Sequence, residues 1–329
     1  MSFEIITGDA IDALAGLPES SVQACITSPP YWGLRDYGVA ARVWDDDGDC
    51  DHVWAADRFC RGCGAWRGCL GLEPTPDLFV SHLVEMVRGV RRVLRDDGTL
   101  WLVIGDSYAL RRTSTAPSDP RRRQCIQPGR GVPPGAKIKD LIGIPWLVAF
   151  ALRSDGWWLR SDIVWAKQNV SPESVRDRPT RCHEFVFLLT KQAKYFYDPV
   201  AIREPARVPG TTRNRRDVWW IRTRPKRGGH IAAYPPEIVE PCLRAGSPPH
   251  ACKTCGAPWR RVDDSTAEWI PSCSHDEPPG KSTVLDPFCG SGTTGDVALR
   301  HGRDFVGIEL KPEYAQLASA RLQGVEAVH

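Results

Sequence analysis

The stretch from Thr283 to Leu322 limits the fold more tightly than any other part of this chain. A short apolar run, Thr283 to Leu285, enters a glycine-rich turn, Gly290-x-Gly292-x-x-Gly295, and helical spacing follows from near Thr293 to Arg300. A second apolar run, Phe305 to Ile308, ends in Glu309 ahead of a closing helix. This reads as a β-α-β unit, and such units build doubly wound, mostly parallel sheets that bind ligands at the carboxyl ends of their strands. Glycines there admit close approach of the backbone. An acid nineteen positions on (309 − 290) can accept hydrogen bonds from ribose hydroxyls. Taken alone, the pattern also fits a nicotinamide dinucleotide site, or a tight turn with no ligand.

The other end of the chain also begins as strand, helix, strand: Phe3 to Thr7, Ala10 to Ala15, Val22 to Thr27. Thr75 is an expected N-cap with Pro76 at the first helical position. Leu78, Phe79, Leu83, Met86, Val87, Val90 and Leu94 then recur at helical spacing up to Gly98. Thr99 to Ile104 is continuously apolar, as in a buried strand. A helix is expected at Leu141 to Leu152 and again near Pro236 to Leu243, with strands at Trp158 to Trp165, Glu184 to Thr190 and Lys194 to Tyr197. Tyr108 to Lys137 is rich in Pro, Gly, Ser and Arg without periodicity, so a mobile loop is expected over about 108–138. At 329 residues and 42% hydrophobic content the chain can bury a substantial core. No apolar run approaches a membrane span, and Met1-Ser2-Phe3-Glu4 lacks the basic start of a signal peptide, so a cytoplasmic protein without membrane attachment is expected.

A second motif, Thr27-Ser28-Pro29-Pro30-Tyr31-Trp32, closes the buried run at Val22 to Thr27. Together with Asp286-Pro287-Phe288-Cys289-Gly290-Ser291-Gly292-Thr293-Thr294-Gly295, it resembles the signature pair of the S-adenosylmethionine-dependent DNA amino-methyltransferases. With the catalytic motif first, the order resembles the permuted class called beta. The resemblance implies a circularly permuted class I methyltransferase fold, Rossmann-like, with S-adenosyl-L-methionine as cofactor and double-stranded DNA as partner. It implies a catalytic loop of Ser28, Pro29, Pro30 and Tyr31, in which the Ser28 hydroxyl and the Pro29 carbonyl accept the two protons of an exocyclic amine. Tyr31 then offers a face for an extruded base, with Trp32 extending that wall. It further implies cofactor contacts from Asp286, Phe288, Gly290, Gly292, Thr293, Thr294 and Glu309. Two more are implied by Gly8-Asp9, whose Asp9 meets the adenine amine or acts only as a helix cap, and by His230, in the segment His230 to Pro235 that helps bind the methionine moiety. Trp165 to Asn169, Pro172 to Ser174 and Arg178 to Glu184 look like the family's block between catalytic and recognition segments. Such enzymes admit a homodimer and a cognate restriction endonuclease as partners.

The twelve cysteines need a separate explanation. Without a secretion signal, and with Cys-x-x-Cys spacing, metal ligation is expected rather than disulfides. Cys50-x-His52 with Cys60-x-x-Cys63 supplies four ligands in two close pairs, and Cys252-x-x-Cys255 with Cys273-x-His275 repeats the arrangement. Each set suits a closed structural zinc site, about two per chain, with Asp276 and His250 as substitutes for His275 and metal-free reduced thiols as the alternative. The net charge of +3 is small, but Arg and Lys cluster from Arg111 to Lys139 and from Arg203 to Arg227, which suits a polyanion. Phosphate and base contacts are expected from Arg213, Arg215, Arg216, Trp219, Arg222, Arg224, Lys226 and Arg227, the alternative being a solvated basic face.

The expected organisation is a catalytic domain over 1–45, 71–202 and 230–248, zinc-binding inserts at 46–70 and 249–278, a target-recognition segment at 203–229, and a cofactor-binding unit at 279–329. The expected reaction is methyl transfer to the 4-amino group of cytosine, because serine heads the catalytic motif. Methylation of the adenine 6-amino group is the runner-up. The rival from another class is a zinc-ribbon DNA-binding protein with an inactive methyltransferase fold.

Overall fold

A computed structural model describes residues 2–33, 36–46, 48–109, 132–170, 172–224, 234–266 and 268–326. The chain forms two compact units: Met1–Ser28, Val87–Ile104 and Arg153–His329 in the first, Pro29–Met86 and Gly105–Leu152 in the second.

The first unit is built on one eight-stranded sheet. Its strands are β1 (Phe3–Thr7), β2 (Val22–Thr27), β3 (Leu94–Ile104), β4 (Trp158–Ala166), β5 (His183–Thr190), β6 (Val218–Trp220), β7 (Thr283–Asp286) and β8 (Asp304–Glu309). They lie in the order β1-β8-β7-β2-β3-β5-β4-β6. Of these strands, only β5 runs antiparallel to its neighbours, so the sheet is mostly parallel as expected. Strands buried on both faces must be apolar throughout. Accordingly β2 and the second half of β3 are buried at every position. β1 pairs with β8 from Phe3 opposite Phe305 to Thr7 opposite Glu309, which sets the two ends of the chain side by side.

The helices are α1 (Ala10–Gly16), α2 (Pro76–Val93), α3 (Ile144–Ser154), α4 (Pro236–Gly246), α5 (Thr293–Arg300) and α6 (Pro312–Glu326). Asp9 caps α1 by accepting from the Ile11 amide at 2.9 Å, and Thr75 caps α2 by accepting from Leu78 at 3.2 Å. α5 lies close to β8 because position 295 is glycine: a Cβ there would meet the Phe305 ring at 2.6 Å.

Several expectations need correction. β3 starts at Leu94, directly after α2, and carries Gly98 within it. α3 starts at Ile144 rather than Leu141, since Asp106 Oδ1 accepts from the Gly143 and Ile144 amides at 2.9 and 3.0 Å and so fixes the first turn. Lys194 to Tyr197 is not a strand; both edges of β5 are already taken by β3 and β4, and Phe196 instead donates to the Asp97 carbonyl at 2.8 Å. The basic interval is partly regular, with a small hairpin of Glu204–Pro205 and Thr212–Arg213 followed by β6. Of the loop expected over about 108–138, residues 110–131 lie outside the described residues. Among the described residues, no helix is long and apolar enough to cross a membrane.

Candidate active site and metal clusters

The sheet reverses its winding between β7 and β2. From β7 the chain proceeds through α5 to the adjacent β8, and from β2 through α2 to β3 on the other side. In open α/β sheets, ligands bind outside the carboxyl ends of the strands at such a switch point. Here those ends carry Thr27 and Asp286. Thr27 Oγ1 donates to Asp286 Oδ1 across the strand pair at 2.7 Å.

Asp286 is 1% exposed yet fully engaged. Its Oδ1 also accepts from the Phe288 amide at 3.1 Å, and its Oδ2 from Thr294 Oγ1 at 2.6 Å and the Tyr234 hydroxyl at 2.9 Å. Burial pushes this carboxyl above the ordinary carboxylate range, while the surrounding donors favour the charged form. Gly290 and Gly292 adopt left-handed φ of 53° and 76°, and Gly292 opens α5. The Gly290 amide donates to Glu309 Oε2 at 2.9 Å, and Lys311 donates to Oε1 at 2.8 Å. Thr293 is buried, with its hydroxyl accepting from Arg321 at 3.2 Å. Asp9 follows β1, next to β8, where the Gly8 amide donates to the Glu309 carbonyl at 3.0 Å. Asp9, Asp286, Phe288, Gly290, Gly292, Thr293, Thr294 and Glu309 thus all lie at the carboxyl ends of β1, β8 and β7, or in the turn and first helical positions that follow. His230 lies outside the described residues.

Thr27 and Tyr234 were absent from the sequence-based site. They reach Asp286 across 259 and 52 positions. The only signal for Tyr234 was its place in the segment from His230 to Pro235.

Ser28 is half-buried and ends the first unit; Pro29, Pro30 and Tyr31 open the second. Within the second unit, Pro30 and Tyr31 pass over Gly71, where a Cβ would come within 3.1 Å of Pro30 Cβ and 3.2 Å of the Tyr31 carbonyl. Trp32 does not extend a stacking wall. It is 4% exposed and donates from Nε1 to the Glu73 carbonyl at 3.0 Å, so it anchors the loop.

The basic segment follows the same sheet. β6 runs parallel to β4 and therefore parallel to β2, so the residues after it emerge at the edge that carries Ser28 and Asp286. Four strand spacings separate β2 from β6, roughly 19 Å at about 4.8 Å each. Arg213 and Arg216 share the Glu204 carboxylate at 2.9 and 2.6 Å. Arg222 donates to Gln168 at 3.1 Å, Arg224 pairs with Glu237, and Asn169 exchanges hydrogen bonds with the Thr223 backbone at 2.8 Å. Trp219, expected among the DNA contacts, is instead a core residue: it is 4% exposed, bound through Nε1 to the Arg216 carbonyl and covered by the Arg215 guanidinium at 4.8 Å. The exposed ring is Trp220, at 68%. Alternation along β6 turns one tryptophan in and the next out. Lys226 and Arg227 lie outside the described residues.

Both sets of candidate metal ligands come together. In the second unit, the donor atoms of Cys50, His52, Cys60 and Cys63 all lie within 4.8 Å of one another, and in the first unit so do those of Cys252, Cys255, Cys273 and His275. The Cys50 and Cys60 sulfurs are 3.7 Å apart, and Cys63 Sγ is 3.5 Å from His52 Nδ1. His52 Nε2 faces Asp46 at 3.4 Å. The second cluster is tied to the sheet: Arg95 donates to the Cys255 carbonyl at 2.5 Å, and Gln23 bridges from the Gly256 carbonyl at 3.2 Å to the Thr283 amide at 2.6 Å.

Comparison with known proteins agrees with this geometry. A family model described as DNA methylase, for N6/N4 methyltransferases, matches residues 22–320. Type II methyltransferase M.XycI of Xanthomonas campestris pv. cyanopsidis is 44% identical over 323 residues, covering 97% of this chain and 87% of that protein. Type II methyltransferase M.SmaI of Serratia marcescens is 42% identical over 323 residues, covering 98% and 91%. Among solved structures, PvuII DNA methyltransferase (cytosine-N4-specific) matches with a TM-score of 0.60 at 16% identity, over 100% of this chain and 91% of the other. TTHA0409 of Thermus thermophilus, solved in complex with S-adenosyl-L-methionine, matches with a TM-score of 0.52 at 22% identity, over 98% and 94%. These two likenesses concern the fold alone.

Proposed function

The chain belongs to the N6/N4 DNA methylase family, and from that premise we propose that it transfers the methyl group of S-adenosyl-L-methionine to the exocyclic 4-amino group of a cytosine extruded from double-stranded DNA. At the coarser level it is a Type II DNA amino-methyltransferase of restriction-modification type. The observation that supports methyl transfer at this site is the Asp286 network at the switch point, while the choice of cytosine rests on Ser28. Asp286 leads directly into the glycine turn, and its partner Thr27 leads directly into Ser28.

In this reading the methyl donor lies across the ends of β1, β8 and β7. Glu309 accepts from its ribose hydroxyls, Asp9 from its adenine amine, and Asp286 holds the turn beneath its methionine end. The Ser28 hydroxyl and the adjacent Pro29 carbonyl accept the two amine protons, so the nitrogen lone pair leaves conjugation with the ring and points at the sulfonium methyl. The lone pair would form the new N–C bond as the C–S electron pair departs with sulfur, and the surplus proton of the methylated amine would then pass to solvent water, with Ser28 and Pro29 only accepting hydrogen bonds. The neutral, short Ser28 side chain supports cytosine. Tyr31 supplies the face on which the extruded base stacks.

Two structural zinc ions, one in each cluster, complete the assignment. The donor sets fit a tetrahedral ion: bonds of about 2.3 Å to sulfur and 2.0–2.1 Å to nitrogen give sulfur–sulfur and sulfur–nitrogen separations of about 3.8 and 3.5 Å. The separations in the first cluster are 3.7 and 3.5 Å. With four protein ligands each, the sites brace loops and leave no place for a reactive water. Asp46 supports His52 from behind, as carboxylates commonly support metal-bound imidazoles. DNA contacts fall to Arg213, Arg216, Arg222, Arg224 and Trp220. The Type II naming of the relatives supports a cognate restriction endonuclease acting at the same DNA site.

Transfer of tritiated methyl groups from the donor to DNA tests the reading. Wild-type protein is expected to label DNA, and Ser28→Ala to lose about 100-fold in turnover with donor affinity retained, as for removal of one transition-state hydrogen bond. Equal turnover in both proteins would remove Ser28 from the chemistry.

A further inference from the structure

The second unit holds a buried polar cluster beside the Pro-Pro-Tyr segment that methyl transfer does not use. Glu73 and His82 are both 0% exposed, with His82 Nδ1 and Glu73 Oε1 3.1 Å apart. The imidazole is flanked by the rings of Trp44 and Trp66, at centroid distances of 4.3 and 5.6 Å, and its Nε2 lies 3.1 Å from Asp45. Burying a carboxylate is costly unless its hydrogen bonds are all made. Here the bonds Glu73 makes converge on one short segment. Its Oε2 accepts from the Gly71 amide at 2.8 Å, and its carbonyl accepts from Trp32 Nε1 at 3.0 Å. The Gly71 carbonyl accepts from the Gly33 amide at 2.9 Å. Gly71 has φ of 88°, and this left-handed turn brings its backbone against Pro30 and Tyr31.

We propose that Glu73 and His82 are positioning residues for the transfer reaction: the buried pair locks the turn at Gly71 to Glu73, and that turn fixes Pro30, Tyr31 and Trp32 from both backbone and side chain. The inference rests on the catalytic reading of that loop. Nothing in the local sequence marks the pair, since the two residues are nine positions apart and separated by a helix start.

The test compares turnover on DNA with donor affinity by calorimetry in the full-length protein. Glu73→Gln keeps an acceptor for the Gly71 amide and offers an N–H to His82 Nδ1, so turnover should stay within about threefold of wild type. Glu73→Leu removes both partners, and a loop displaced by about 1 Å should lower kcat by roughly 10- to 100-fold while donor affinity changes less than about twofold. Trp32→Phe deletes a single hydrogen bond while keeping most of the ring volume, so it reports even if Glu73→Leu fails to fold; its expected loss in kcat is about three- to tenfold. Wild-type kcat in Trp32→Phe, or a parallel fall of kcat, donor affinity and Tm in both Glu73 variants, would overturn the proposal. Ser28→Ala measured alongside separates the failures. Full turnover there removes the catalytic reading itself, whereas an inactive Ser28→Ala with unimpaired Glu73→Leu and Trp32→Phe removes only the positioning role.

Discussion

Asp286 shows how much of a site one side chain can organise. Its two oxygens gather a strand-end threonine, a turn amide, a helix threonine and a tyrosine, so the shape of the glycine turn is fixed by buried hydrogen bonds. Glu309 is the residue proposed to meet the ligand directly. Replacing it with Ala should raise the Kd for S-adenosyl-L-methionine by roughly 10- to 100-fold, the worth of a hydrogen bond to a charged group of about 1.5–3 kcal/mol, with DNA affinity little changed. Calorimetry showing wild-type donor affinity would remove Glu309 from the site. Gly292 is constrained twice, by φ of 76° and by the approach of Ala318 to within 3.2 Å of an added Cβ. Gly292→Val should therefore lower both Tm and donor affinity; an unchanged Tm would mean that the turn relaxes. At this scale the sequence marks the candidate residues where they are contiguous, at Ser28 to Tyr31 and Asp286 to Thr294. It gives no contact for Thr27 and Tyr234, although both lie in marked segments, and it is silent on Glu73 and His82; the partners of all four are brought together only by the fold. Trp32 misleads because an aromatic residue beside a catalytic motif looks the same in sequence whether it stacks on a base or fills a core.

Among the elements, long apolar runs and capped amphipathic helices are legible to within a few residues, because burial on both faces leaves a continuous hydrophobic record. Short edge elements leave no such record. β6 is three residues long inside a basic segment, and whether Trp219 or Trp220 faces inward depends on register against β4. That register turns Trp220 outward, beside the exposed cations that we propose as DNA contacts. Changing Arg216 and Arg222 to Ala should weaken DNA binding and reduce the slope of log K against log salt by about two, near 0.9 for each phosphate no longer neutralised. An unchanged slope would place the DNA surface on another segment. The metal clusters give a second prediction at this scale. Elemental analysis should find about two zinc ions per chain, with Cys60→Ser and Cys255→Ser each losing one and lowering Tm. Metal-free protein that is folded and active would contradict the zinc assignment.

For the whole molecule, the parallel pairing of β7 with β2 lets two motifs from opposite ends of the chain share one edge of one sheet. The order of the motifs, catalytic motif first, is the feature that resembles the permuted class, and each motif closes a buried strand as expected. What the sequence order leaves open is the acceptor base, since cytosine and adenine offer the same kind of amine to the same pair of acceptors. The central claim is that this chain methylates the cytosine 4-amino group, and nucleoside mass spectrometry of DNA treated with the purified protein and S-adenosyl-L-methionine tests it most directly. The expected product is 4-methylcytosine, formed about 100-fold more slowly by Ser28→Ala; 6-methyladenine as the sole modified nucleoside would contradict it.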